Sequence, residues 1–235
     1  MYNWHNVFQP IYQIDQNMNP RIDHYEMLLH DENDKFPVHD FFSAISTEED
    51  NQKWIQTEAK SLEKLFSVYP NINVGLNIEP IQFAYPSVWD FLHDIYNKYG
   101  QKVALEITER QLQAGLLGAK KFDCSFQRIH DMGFRIALDD VSSGSNSFDF
   151  INHHADKIDA VKLSLLIFDN ISLETTVDFI HAWSSFAKEK NLDLILEAVR
   201  SKYIAEKFAG DKHIFQQGYY WSKSLSLDEI EYAWC

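Results

Sequence analysis

The fold turns on Ile136-Ala137-Leu138-Asp139-Asp140-Val141, which runs on into Ser142-Ser143-Gly144-Ser145-Asn146-Ser147. Three apolar residues lead into two adjacent carboxylates and then a small, polar, Gly- and Ser-rich loop, the pattern of a buried strand that ends at a site. Taken alone, an Asp at a strand-to-helix junction is more often a helix N-cap than a metal ligand. The rest of the chain has to choose between these readings.

On both sides of this stretch, short β-rich runs alternate with helical patterns. Strands are expected at Val7 to Ile14 (interrupted by Pro10), Arg21 to Leu29, Ile72 to Ile78, Val103 to Ile107, Phe134 to Leu138, Ile158 to Leu163, Leu192 to Leu196 and His213 to Phe215. Helical patterns begin near Val38 and cover Asn51 to Val68, where Trp54, Ala59, Leu62, Leu65 and Phe66 share one face. Further ones cover Val88 to Tyr99, Lys120 to Met132, Thr175 to Lys190 and Leu227 to Ala233. The first two strands resemble a hairpin, and the others imply right-handed βαβ units. Eight strands favour an α/β fold of the TIM-like (β/α)8 kind with an irregular, antiparallel first strand; an open doubly wound sheet is the alternative.

Composition bounds the function. A chain of 235 residues with 45% hydrophobic content and no low-complexity linker reads as one domain, 1–235. Its formal charge of −14 argues against a nucleic-acid polymer or a membrane surface as partner, while leaving room for a small anion neutralised by local cations. Two cysteines, Cys124 and Cys235, form no disulfide framework and lack metal-ligand spacing. The opening Met1-Tyr2-Asn3-Trp4-His5-Asn6 is neither a signal nor an anchor, and a cytoplasmic location is expected.

In such a barrel, chemistry sits at the C-terminal strand ends. There the chain places Glu26, Asn77, Glu106, the pair Asp139 and Asp140, Lys162, Glu197 and Gln217. Each has a bland reading: a solvent-facing strand residue, a turn former, a helix cap or a snorkelling lysine. Together they would have to recur at the same relative position of successive strands by chance. Five carboxylates at one mouth repel one another unless cations lie between them, and an all-oxygen donor set selects Mg²⁺ or Mn²⁺ over zinc. Asp139 is placed to bridge two ions roughly 4 Å apart, a spacing suited to in-line phosphodiester hydrolysis. A glycosidase needs only two carboxylates and would leave the Asn, the Asp pair and the Lys unexplained.

With these residues in view, the chain resembles the EAL phosphodiesterases, which hydrolyse cyclic di-GMP. Phe8-Gln9-Pro10-Ile11 matches the family's opening strand, and Tyr25-Glu26-Met27-Leu28-Leu29-His30 stands at its name motif. Leu76-Asn77-Ile78-Glu79-Pro80, Leu105-Glu106-Ile107-Thr108-Glu109, Leu138-Asp139-Asp140, Val161-Lys162-Leu163, Glu197-Ala198-Val199 and Gln217-Gly218-Tyr219 follow in order. The resemblance implies that Glu26, Asn77, Glu106 and Asp139 hold one ion, and that Asp139, Asp140 and Glu197 hold the other. Glu26, Asp140, Lys162 and Glu197 would be the catalytic set, with Lys162 touching the attacking water or the phosphate. Gln9, Leu28, His30 and Gln217 would line the substrate side, and Glu109 would anchor the loop after Asp140. A homodimer through the region after that loop is a family arrangement, though the altered loop weakens the transfer.

Departures from the family pattern are concentrated around the substrate. His30 replaces a phosphate-contacting Arg, Ser164 an Asp, Arg200 a second Glu, Met27 the motif Ala, and Ser142 a glycine of the loop. Two functions follow: an active phosphodiesterase producing linear pGpG, or a degenerate domain that binds cyclic di-GMP or a protein partner without turnover. Arg200 is expected to replace in part the phosphate contact of the family arginine that His30 replaces, since a guanidinium pairs with phosphate in a bidentate way.

Overall fold

The computed structural model describes residues 4–110, 119–144 and 146–234; Met1 to Asn3, Ser145 and Cys235, quoted above, lie outside the described residues. The eight expected strands form a closed barrel in chain order: β1 (His5–Ile14), β2 (Pro20–His30), β3 (Val74–Ile78), β4 (Val103–Ile107), β5 (Ile136–Leu138), β6 (Ala160–Ser164), β7 (Asp193–Glu197) and β8 (Ile214–Gln216). β1 runs antiparallel to both β2 and β8, and every other pair is parallel. Its register slips between Ile11 and Tyr12, which is the irregularity expected around Pro10. Closure removes the edges that an open doubly wound sheet would have left.

Around the barrel lie α1 (Val38–Ala44), α2 (Glu48–Val68), α3 (Pro86–Tyr99), α4 (Ala119–Met132), α5 (Phe148–His154), α6 (Leu173–Lys190) and α7 (Lys202–Lys207). α2 starts at Thr47, whose side chain accepts the Asp50 amide, and α6 starts at Ser172, which does the same for Thr175. The short α5 and α7 were not expected, because one or two turns carry too little periodicity to register. Leu227–Trp234 is a 3₁₀ rather than an α segment. None of the described helices is long and apolar enough to cross a membrane.

Alternation along the strands separates two kinds of interior. Leu76, Leu105, Ile107, Leu138, Val161, Leu163, Leu194 and Leu196 belong to the large core between barrel and helices. Ile11, Ala137, Ala160, Ile195 and Phe215 form a second, smaller cluster inside the barrel. Two residues further along the same strands stand Asp139, Lys162, Glu197 and Gln217. With a side-chain period of two, these share the inner face one layer higher. The barrel is thus apolar and small-residued below, and polar at its mouth.

Candidate active site

Lys162, on β6, is the centre of the mouth. Its side chain is fully buried, and its ammonium lies 3.0 Å from Asp139 Oδ1, 3.0 Å from Glu197 Oε1 and 3.2 Å from Glu26 Oε2, with Glu106 as a fourth ion-pair partner. Four strands besides its own therefore send a carboxylate to one nitrogen. Glu26 is oriented further: Asn77 donates to its Oε1 at 2.9 Å and Gln217 to its Oε2 at 2.7 Å. Gln217 also donates to Gln9 at 3.3 Å, so both strands of the β1–β2 hairpin are tied at one level to the residue that follows β8. Gly75, paired with Ala104 one inner-facing step below Glu106, makes the crowding possible, since a Cβ there would lie 1.8 Å from Glu106 Oε1.

The charges do not balance. Burial opposes ionisation of every carboxylate in the cluster, yet the Lys162 ammonium and the amides of Asn77 and Gln217 outweigh it at Glu26 and hold that acid below its ordinary range. At the others burial wins, reinforced by neighbouring carboxylates: Glu106 is pushed up to about 8, Asp139 and Asp140 are raised, and Glu197 is raised well above normal. Burial works against the Lys162 ammonium too, but the surrounding acids more than compensate and raise its pKa well above the ordinary lysine value. One ammonium cannot keep five crowded acids ionised.

Unsatisfied oxygens point the same way. Glu106 Oε1 and Gln217 Oε1 are buried without a hydrogen-bond partner among the described residues. Glu109, Asp139 and Asp140 each offer a carboxylate oxygen within 4.8 Å of one another, a spacing one metal ion could bridge. Hard, all-oxygen donors and excess negative charge fit divalent Mg²⁺ or Mn²⁺.

Two cavities open above this cluster and share Glu26, Leu28, Asp139 and Asp140 as lining. One, of about 310 Å³, also takes in Gln9, Ser164, Glu197, Arg200 and Gln217. The other, of about 200 Å³, extends over Asn77 and Glu109 towards Phe36, Trp54 and Arg110.

The whole arrangement can be compared with known proteins. The model of the EAL domain matches residues 3–224. The chain belongs to the EAL domain family. It is 25% identical over 225 residues, 92% of its length, to the cyclic di-GMP phosphodiesterase PdeA of Borreliella burgdorferi. It spans about a third of the length of the curated relatives it matches. Its fold superposes on an EAL domain protein of Listeria monocytogenes with a TM-score of 0.75 at 20% identity, covering 99% of this chain and 92% of that one. It also superposes on BlrP1 of Klebsiella pneumoniae, solved as a manganese and cyclic di-GMP complex, with a TM-score of 0.74 at 17% identity, covering 95% and 56%.

In this EAL domain the loop after Asp139 is strained. Asp140, Ser142 and Gly144 all have positive φ, at 44°, 74° and 48°. Asp and Gly tolerate that region; Ser142 does so at a cost. Gly144 is held by close approach as well, since a Cβ there would meet the Glu109 carbonyl at 2.1 Å. Asn146 ties the loop down by donating to the Asp139 carbonyl at 2.6 Å and the Ile107 carbonyl at 3.3 Å. Ser164, standing for an Asp, gives its hydroxyl to Asp140.

The expected residues fall into two groups. Glu26, Asn77, Glu106, Asp139, Lys162, Glu197, Gln9 and Gln217 meet in one hydrogen-bonded cluster, with Asp140, Glu109, Leu28 and Arg200 along the cavities. His30 does not join them. It pairs in register with His5 at the far end of β2, lines neither cavity, and has its imidazole pKa lowered mainly by burial. The sequence reading also overlooked Glu79, which accepts from Thr108 at 2.8 Å and pairs with Arg110 at 3.5 Å beneath Glu109. Its place directly after Asn77-Ile78 was the available signal.

Proposed function

We propose that this EAL domain hydrolyses cyclic di-GMP to linear pGpG, using two Mg²⁺ or Mn²⁺ ions held at the barrel mouth. The observation carrying this reading is the charge imbalance: a single buried ammonium among Glu26, Glu106, Asp139, Asp140 and Glu197, beneath cavities open to solvent. Glu26, Asn77, Glu106 and Asp139 would hold one ion and Asp139, Asp140 and Glu197 the other, with Glu109 an added donor beside the Asp pair. When bound, these ions would neutralise phosphate charge and activate water at neutral pH.

The chain's own residues do the positioning. Asn77 and Gln217 fix both oxygens of Glu26, so this acid cannot swing with each substrate. Lys162, kept protonated by its neighbours, supplies a fixed positive charge under the reacting phosphate. Arg200 lines the larger cavity, is exposed, and makes no salt bridge among the described residues, leaving its guanidinium available to a phosphate oxygen. In the reaction a water oxygen bonds to phosphorus, the bond from phosphorus to O3′ breaks, and O3′ leaves with a proton.

A degenerate, binding-only domain is the second reading, favoured by the strain at Ser142 and by His30 standing outside the cavities. A homodimer belongs to the same set of proposals, supported by the exposed Ile167 and Ile171 between β6 and α6 and Leu173 at the start of α6. A cytoplasmic setting is supported by the free, exposed thiol of Cys124. Incubating the purified chain with cyclic di-GMP and Mn²⁺, and following pGpG by chromatography, separates the readings. Turnover abolished by Glu26→Ala is expected; binding without turnover would establish the receptor instead.

A further inference from the structure

A second cavity approaches the same cluster from below. It has a volume of about 60 Å³ and rises from the N-terminal ends of the strands through the barrel interior to Glu106. Its walls are narrow-waisted side chains, Ala104, Ala137 and Ala160, backed by Ile195 and Phe215. Ala104 is only half-buried although its strand lies inside the helical layer, so solvent reaches the inner wall. The rim is polar: Arg135 pairs with Asp193 at 3.4 Å, and Asp23 with His24 at 2.8 Å.

The roof carries the decisive detail. Glu106 is 1% exposed, one of its oxygens is bound to Lys162, and the other, Oε1, has no partner among the described residues. That oxygen lies over Gly75, the residue beside Ala104 in register. A buried carboxylate oxygen without a donor is costly, and a cavity of this size has room for about four waters at ~15 Å³ each.

We infer that the barrel floor is a water-filled back channel that hydrates Glu106 Oε1 from the side opposite the substrate, keeping this carboxylate a competent cation ligand while the dinucleotide covers the mouth. The waters run from the Arg135 and Asp193 rim past the three alanines to the orphan oxygen. Alanine at Ala104, Ala137 and Ala160 is what opens the path, since a branched side chain at any of them would close it.

High-resolution crystals of the wild-type chain, with and without xenon pressure, test the channel. Ordered water within hydrogen-bonding distance of Glu106 Oε1 and no xenon in the neck is the expected result. Xenon in a dry neck, or no water at Oε1, would overturn it. The second arm rests on the reading of Glu106 as a metal ligand: plugging the channel with Ala137→Val and Ala160→Val should expel the waters and weaken Mn²⁺ binding in calorimetry about tenfold. Expulsion of the waters with affinity unchanged would also overturn the inference. Ala104→Val alone repeats the comparison should the double variant not fold. If the wild-type chain bound no Mn²⁺, the metal reading would fail while the crystals still decided the channel.

Discussion

Two glutamates of this barrel, Glu26 and Glu58, are buried in opposite ways. At the mouth, Glu26 is surrounded by an ammonium and two amides and stays more acidic than an ordinary glutamate. On the helical side, Glu58 of α2 is equally buried but has one polar contact among the described residues, the Asn6 amide at 3.1 Å, and its pKa is pushed up to about 7 by burial. Burial alone neutralises an acid; only a surplus of partners keeps it charged. The mouth gathers five acids round one ammonium, negative charge for something else to bind, whereas Glu58 of α2 lines the smaller cavity beside one amide.

Substitutions can break this contrast. The largest effect is expected from Asp139→Ala, which removes the acid shared by both proposed ion sites. Hydrolysis of cyclic di-GMP should fall by more than about 10²-fold, the scale of losing one charge-stabilising group. Stability in urea should hold or rise, because one of several crowded carboxylates is gone. A large loss of stability alongside activity would mean that the cluster is structural.

Glu58→Gln should do the reverse. Because the folded-state pKa lies above that of the unfolded chain, the contribution of Glu58 to stability is full below about pH 4.5 and is lost as pH rises through about 7. The amide variant should match wild type at pH 4 and exceed it by about 3 kcal/mol at pH 8. Urea melts across that range would show the two curves separating. Parallel curves would mean that Glu58 is not buried uncharged.

Arg200→Ala sharpens the picture at the mouth. Removing one charge-assisted hydrogen bond to phosphate should raise KM for cyclic di-GMP by roughly tenfold or more, with a smaller change in kcat. An unchanged KM would leave Arg200 as a solvated surface residue. The smallest effect is expected from Ser142→Gly, which relieves a φ of 74° and should stabilise the chain by about 1 kcal/mol in thermal melts. No gain would indicate that the loop's hydrogen bonds already absorb the strain.

The strands of the mouth were legible because alternation and position sufficed. Ala137 followed by Asp139, Ala160 by Lys162, and Ile195 by Glu197 each put an acid or a base one inner-facing step above a small or apolar residue. Boundaries were less so: β5 and β6 begin two residues later than their apolar runs at Phe134 and Ile158 suggest. The buried stripe of α2 was misjudged at Glu58, which takes a core position that apolar periodicity assigned to neighbours such as Ala59. Its Asn6 partner comes from β1, a contact no local pattern contains. His30 shows the same limit, since its place in a motif says nothing of the register that turns it towards His5. The floor cavity was invisible for the same reason: it exists only once separate alanines from three strands face one another.

The most direct test of the central claim is to count divalent ions. Mn²⁺ titrated into the purified, chelator-treated chain, with free ion followed by its paramagnetic resonance, should saturate at two per chain, and the same titration of Asp139→Ala should lose both sites or leave a single weakened one. Absence of binding to the wild-type chain, or two unaltered sites in Asp139→Ala, would contradict the account that the mouth's excess negative charge is there to hold metal.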